Sequence, residues 1–335
     1  MSEIVPPLLA LRDAGKRFAK PLDAGARLAQ LFGAKRNAEV VHAVDQVTLE
    51  IHPGEVVGLV GESGCGKSTL GRMAAGLHAL SSGTRCWKGT DLAALNAAQR
   101  RQQQLAIQMI FQDPYASLNP RMRIHDIVGE APLAHRMVAA AQQKEYVEAL
   151  LQRVGLDPTL ARRFPHQFSG GQRARIGIAR ALAVHPEMLV CDEAVAALDV
   201  SIQAQVLNLF IKLRDELNLT YLFISHDLGV VRHISDRVLI MYLGRIVESS
   251  PTAELFARPN HPYTVALLAA APKLEVKKIE FYPVQGEIPS PLHPPSGCHF
   301  HPRCPHAMPR CSIEQPLLKE IAPQHFSACH LNDQG

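Results

Sequence analysis

The stretch EVVGLVGESGCGKSTLGRMAAGL (55–77) decides how the rest of the chain is read. Its opening run, EVVGLV (55–60), is apolar and rich in β-branched residues, the composition of a central strand covered on both faces. Beyond it Leu70, Met73, Ala74, Leu77 and Leu80 recur at helical spacing, so a strand, a glycine-rich turn and a helix follow in order. The turn, GESGCGKST (61–69), fits the pattern G-x-x-x-x-G-K-[ST]. Gly61, Gly64 and Gly66 let the backbone N–H groups, with those of Ser63 and Thr69, turn inward around phosphate oxygens, and the start of the helix adds its positive end. Lys67 is expected to reach the β- and γ-phosphates and the Ser68 hydroxyl to coordinate Mg²⁺, while Cys65 fills a variable place in the same cradle.

Outward from this unit, LAIQMIF (105–111), MLVCD (188–192), TYLFIS (220–225) and VLIMYL (238–243) read as further buried strands. Ile202, Val206, Leu209, Phe210, Leu213 and Leu217 draw one apolar helix face between two of them. Strands alternating with helices imply an α/β fold with a mostly parallel sheet. Upstream, residues 8–18 and the period-two segment 41–51 are expected to be strands, with 21–39 between them as an inserted loop or short helix of unassigned purpose. Residues 114–182 lack a strand pattern and read as a helical insertion, and beyond 272 prolines thicken and four cysteines cluster in a separate extension.

The chain has 335 residues, enough for one large domain with an appendage. A net charge of +4 without a dense Lys/Arg block, and only 5% aromatics, give no reason to expect nucleic acid as a partner. The N-terminal segment lacks the basic and apolar regions of a secretory signal, and no run approaches the ~18 apolar residues of a spanning helix. A cytosolic chain is therefore expected, with its seven cysteines serving as thiols, catalytic groups or ligands and not as a disulfide framework.

MLVCDE sets Asp192 and Glu193 at the C-terminal end of an apolar strand, where ligand sites of open α/β sheets gather. Asp192 is the candidate for Mg²⁺ and Glu193 for polarising an attacking water. These two motifs describe many NTPases. FSGGQRARIGIARAL (168–182) is more specific: it strongly resembles the signature of ATP-binding-cassette (ABC) ATPases. Ser169, Gly170, Gly171 and Gln172 begin a helix whose free N–H groups suit an anion, and the resemblance implies that they meet the γ-phosphate of an ATP held by the opposite subunit. It further implies that Gln112, in FQDP, senses Mg²⁺ and the water, that Asp199, in ALD, crosses the dimer interface, and that His226, in ISHD, stands beside the γ-phosphate. Phe18, in AGKRF, resembles the aromatic that stacks on adenine. The chain departs from the family pattern DEPTSALD, reading DEAVAALD with Ala194, Val195 and Ala196.

The resemblance narrows to ATPases of dipeptide and oligopeptide importers, and to the partner labelled F, through ESGCGKSTLGR, FQDPYASLNPR, RFPHQFSGGQ, HPYT (261–264) and PSGCHFHPRCPHAMPRC (295–311). It implies a P-loop NTPase fold with a RecA-like core sheet, an antiparallel β subdomain and a helical subdomain (about 114–182), an ATP-binding domain over 8–265 and a Cys-rich extension over 266–335. It also implies ATP and Mg²⁺, a second ABC ATPase subunit in a heterodimer, two integral-membrane permeases, an extracytoplasmic substrate-binding protein, and a place on the cytoplasmic face of the inner membrane. Related importers handle nickel, glutathione or haem, and a soluble ABC ATPase acting on ribosomes or DNA, or a redox protein, are the competing classes.

Cys298, Cys304, Cys311 and Cys329 are spaced C-x₅-C-x₆-C-x₁₇-C. Zinc sites favour close C-x₂₋₄-C pairs, whereas the wider spacing lets a chain wrap a [4Fe–4S] cluster, which the family associates with this tail. Zinc and unligated thiols stay open as alternatives. His299, His301 and His306 are close enough in sequence to replace a ligand but are expected to be exposed.

Overall fold

The computed structural model describes residues 6–19, 39–113, 115–270 and 286–333. In chain order the strands are β1 (Leu9–Ala19), β2 (Val40–Ile51), β3 (Val56–Val60), β4 (Ser82–Trp87), β5 (Thr90–Asp91), β6 (Ile107–Ile110), β7 (Met188–Asp192), β8 (Thr220–Ile224), β9 (Arg237–Tyr242), β10 (Arg245–Pro251), β11 (Lys319–Ala322) and β12 (His325–Ser327). The helices are α1 (Lys67–Ala75), α2 (Ala97–Ala106), α3 (Ile124–Ala134), α4 (Gln143–Arg153), α5 (Gly170–Leu182), α6 (Val200–Leu217), α7 (Leu228–Ile234), α8 (Thr252–Ala257) and α9 (Pro262–Ala270).

Two sheets result. A four-stranded antiparallel sheet has the order β2-β1-β4-β5, and an eight-stranded sheet has the order β11-β12-β10-β9-β3-β8-β7-β6. Strands β9, β3, β8, β7 and β6 run parallel, and every residue of β3, β7 and β8 is buried, as their unbroken apolar runs require. The sheet is mostly parallel as expected but carries an antiparallel edge, because β10 turns back on β9 and the hairpin β11–β12 adds two more antiparallel strands through the Glu248–Ser327 pairing. The Cys-rich tail thus shares the main sheet instead of standing apart as an appendage.

One apolar cluster joins α3, α4, α5 and α6 to one side of the large sheet, where Phe210 meets Tyr221 and Phe223 edge to face at 5.7 Å. A second fills the space between the two sheets around α1, with Leu9, Ile51, Leu70 and Met73 fully buried. Residues 115–182 carry three α-helices and no strand among the described residues, as their pattern suggested. The strand expected at 105–111 is shorter. Asn96 and Gln99 form a reciprocal capping box that starts α2, and the helix runs on through Ala106 before the chain extends. The expectation for 21–39 lies outside the described residues except at Glu39. No helix among the described residues is long and apolar enough to cross a membrane.

Candidate functional site

The turn between β3 and α1 is shaped by two glycines that no other residue replaces. Gly66 has φ 107°, and a Cβ there would stand 2.1 Å from the Ala43 carbonyl; a Cβ on Gly61 would stand 2.1 Å from that of Met241. The Lys67 side chain is folded back, its Nζ donating to the carbonyls of Gly61 (2.7 Å) and Glu62 (3.0 Å). Cys65 is buried beneath the loop, and burial raises its thiol pKa, so it stays a neutral filler of the cradle. Ser63, Gly64 and Thr69 complete the turn, with Gly64 at φ 79°.

The Ser68 hydroxyl donates to Asp192 Oδ1 at 2.7 Å, joining the first turn of α1 to the end of β7. Asp192 is 2% exposed, and burial raises its pKa against the lowering effect of the Ser68 bond. The next residue, Glu193, takes φ 49°, a left-handed conformation uncommon outside glycine, while its N–H donates to the Ile224 carbonyl at 3.0 Å. Its carboxylate accepts from Gln112 Nε2 at 2.6 Å and lies 3.4 Å from His226 Nδ1. These three residues follow β6, β7 and β8, which are adjacent in the sheet with Ile110 beside Cys191 and Asp192 beside Ile224. Parallel register carries the three side chains to one edge, next to the phosphate turn after β3.

The other sequence-predicted residues stand elsewhere. Ser169 caps α5, accepting from the Gln172 N–H at 3.3 Å while the Gln172 side chain accepts from the Ser169 N–H at 3.0 Å. Gly170 and Gly171 pack toward Leu198 and Ile202, on the turn into and the first turn of α6. Asp199 is the N-cap residue of α6 with no side-chain cap bond. Phe18 is half-exposed near the end of β1, edge-on to His78 at 5.6 Å and under Lys16 Nζ at 5.1 Å. Ala194 and Val195, where the sequence departs from DEPTSALD, are buried in the helical-side core, and backbone bonds from Ala196 to Glu193 and from Leu198 to Val195 close the turn.

Cys298, Cys304, Cys311 and Cys329 all line one small cavity, with His301 at its wall. Burial pushes the Cys298 thiol up to about 11 and raises Cys304 and Cys329 as well. Among the described residues no three His, Cys, Asp or Glu side chains are grouped as a single metal ion requires. His299 is not exposed as expected: it is buried, and burial pushes its pKa down to about 4 against the raising effect of the Leu243 carbonyl 3.0 Å from its Nδ1, whereas His306 is exposed. Two residues without an assigned role in the sequence reach the phosphate turn, Tyr263 from the start of α9 and Arg303 from beside Cys304. Arg303 and Tyr263 both bond to Glu62, and a sequence separation of 241 residues in the first case leaves no local signal for the contact.

Comparison with known proteins bears on this geometry. A family model described as ABC transporter matches residues 44–196, and one described as oligopeptide/dipeptide transporter, C-terminal region, matches 247–311. The chain is 51% identical to an oligopeptide transport ATP-binding protein of Bacillus subtilis, AppF, over 97% of both chains. It is likewise 51% identical to the oligopeptide transport ATP-binding protein OppF of Salmonella typhimurium, covering 87% of this chain and 88% of the relative. Among solved structures, the ATP-binding cassette MJ0796, dimeric and bound to ADP and phosphate, superposes with a TM-score of 0.61 at 25% identity over 73% of this chain and 98% of its own. CbiO1 of Clostridium perfringens shares the fold with the same TM-score over 76% of this chain and 92% of its own. With a phosphate turn, a carboxylate pair at the neighbouring strand end and relatives matched over nearly its whole length, the chain belongs to the ABC transporter family, as an ATP-hydrolysing subunit of the group that carries the oligopeptide/dipeptide transporter C-terminal region.

Proposed function

We propose that this chain powers an importer of dipeptides or oligopeptides from the cytoplasmic face of the inner membrane, together with a second, different ATPase subunit, two integral-membrane permeases and an extracytoplasmic substrate-binding protein. The observation that carries the reading is the meeting of Gln112, Glu193 and His226 on the strand edge that also holds the Ser68–Asp192 pair. The substrate class rests on the two relatives named for oligopeptide transport. In this reading residues 8–265 are the ATP-binding domain, with a helical subdomain over about 114–182, and 266–335 are the extension.

The roles follow from position. Backbone N–H groups of Gly61, Ser63, Gly64, Cys65 and Gly66, with Ser68 and Thr69, cradle the phosphates, and Lys67 exchanges the carbonyls of Gly61 and Glu62 for phosphate oxygens. Ser68, Asp192 and Gln112 are the residues that would hold Mg²⁺, which would supply neutralisation of phosphate charge. Glu193 accepts a hydrogen bond from the attacking water and turns its lone pair toward the γ-phosphorus, with Gln112 and His226 fixing the carboxylate. The water oxygen bonds to phosphorus as the bond to the β–γ bridging oxygen breaks, the water's proton passes to the Glu193 carboxylate, and ADP leaves with the electron pair of the broken bond. Ser169, Gly170, Gly171 and Gln172 serve the γ-phosphate held by the partner subunit, Asp199 faces that subunit, and Phe18 stacks on adenine.

The cysteine cavity is assigned to a [4Fe–4S] cluster held by Cys298, Cys304, Cys311 and Cys329. Thiolates are the ligands such clusters take, the four thiols line one cavity, and their C-x₅-C-x₆-C-x₁₇-C spacing lacks the close pairs that zinc sites favour.

Reconstitution of the full complex in vesicles tests the function. ATP hydrolysis should rise when peptide-loaded binding protein is added outside. Stimulation by nickel, glutathione or haem in place of peptide would change the substrate class, and hydrolysis that ignores the permeases but responds to ribosomes or DNA would overturn the transport reading.

A further inference from the structure

Glu62, the second residue of the phosphate turn, has each of its polar groups engaged. Its carboxylate takes a two-pronged bond from Arg303, Nη1 to Oε2 at 2.7 Å and Nη2 to Oε1 at 3.0 Å. The Glu62 N–H donates to Tyr263 Oη at 2.8 Å, and its carbonyl accepts from Lys67 Nζ at 3.0 Å. Arg303 comes from the cysteine-lined segment, one residue before Cys304, and its side chain is 4% exposed, lying over Tyr242. Tyr263, at the start of α9, is fully buried and packs against Tyr242 at 4.7 Å and Phe300 at 5.4 Å. The phosphate turn is thereby fastened to two points of the C-terminal region.

We propose that Arg303 and Tyr263 are positioning residues for nucleotide binding: Arg303 neutralises and holds Glu62 so that a carboxylate can stand inside an anion-binding turn, and Tyr263 fixes the backbone that carries it. This rests on the phosphate-binding reading of the turn given above. A fork-to-fork guanidinium–carboxylate pair, largely withdrawn from water, fixes both distance and angle. Removing one partner leaves the other as an uncompensated charge. Without Arg303 that charge is an anion one residue from Gly61, repelling the phosphates that Lys67 attracts. The chemistry of the proposal is therefore charge compensation, which makes it separable from a general packing role.

The test measures ATP affinity of the full chain by calorimetry, and KM against kcat in the assembled complex. Arg303→Ala should weaken ATP binding about tenfold or more and raise KM, with kcat changed much less. Adding Glu62→Gln to Arg303→Ala should restore most of the affinity, because the stranded anion is gone. Tyr263→Phe, which keeps the ring and removes only the acceptor, should weaken binding a few-fold. If the wild-type chain binds ATP and Arg303→Ala binds it equally well, or if the double variant is weaker than either single one, the proposal is wrong. Should Arg303→Ala fail to fold, Arg303→Met and Arg303→Lys decide: methionine fills the space without the charge and should weaken binding about tenfold or more, whereas lysine keeps the charge and should retain most of the affinity, and equal affinities or the reverse order overturn the inference. Failure of the wild-type chain to bind ATP would instead overturn the phosphate-binding reading.

Discussion

Glu193 shows how much one residue depends on its frame. Its left-handed backbone turns the carboxylate away from the strand line and toward Gln112 and His226, and the bond from its N–H to the Ile224 carbonyl holds that turn. Glu193→Gln is expected to bind ATP normally and to lose hydrolysis on the order of a hundredfold or more, since an amide does not polarise water as a carboxylate does. Turnover near the wild-type rate in the assembled complex would falsify the role. Lys67→Ala should act earlier in the cycle. Loss of its positive charge weakens nucleotide binding itself, and an unchanged ATP affinity by calorimetry would remove Lys67 from the phosphate site. Asp192 and Glu193 were legible because they end a run too apolar for the surface. The conformation that aims Glu193 was not, because a positive φ at a non-glycine residue is imposed by the surrounding turn and leaves no mark in composition.

At the scale of elements, helix starts do much of the placing. The β3–α1 turn is fixed by glycines whose replacement would drive a Cβ into backbone carbonyls, so both its identity and its position are written in the local string. The α5 start is as clearly written, by the Ser169–Gln172 capping box. Ser169→Ala is expected to cost the subunit about 1 kcal/mol of stability, measurable by denaturant unfolding. It should also slow hydrolysis in the assembled complex while leaving ATP affinity of the separate chain intact. Equal loss of affinity in the separate chain would mean that α5 serves its own phosphate turn and not a partner's. Strand ends were read less well. The run 105–111 looked like one strand, yet its first residues finish α2, since an apolar segment alone does not say where a capped helix stops.

For the whole molecule, the C-terminal region is the least modular part. Its hairpin extends the main sheet, its Arg303 reaches the phosphate turn, and its four thiols face one cavity. Protein purified without oxygen should be brown, absorb broadly near ~400 nm and contain about four iron atoms per chain. Cys304→Ser should abolish the colour. Stoichiometric zinc without iron or sulfide would replace the cluster by a zinc site, and metal-free protein would leave ordinary thiols. Because Arg303 adjoins Cys304, ATP affinity measured on the same sample tells whether the cavity's contents influence the phosphate turn.

What the sequence determined by itself was local: the phosphate turn, the acidic strand end, the capped signature helix and the alternation of strand and helix each occupy a short window whose residue types state their purpose. The tertiary structure alone decided which strand ends are neighbours, and so that Gln112, Glu193 and His226 meet although 81 and 33 residues separate them. It also decided that a proline-rich tail closes on the sheet edge and that Arg303 neutralises Glu62. The reason is physical. Turns and caps are specified by nearby backbone geometry, whereas sheet order and charge pairing across 241 residues are selected by the burial of apolar surface and compensation of charge in the assembled fold, which no window of sequence contains.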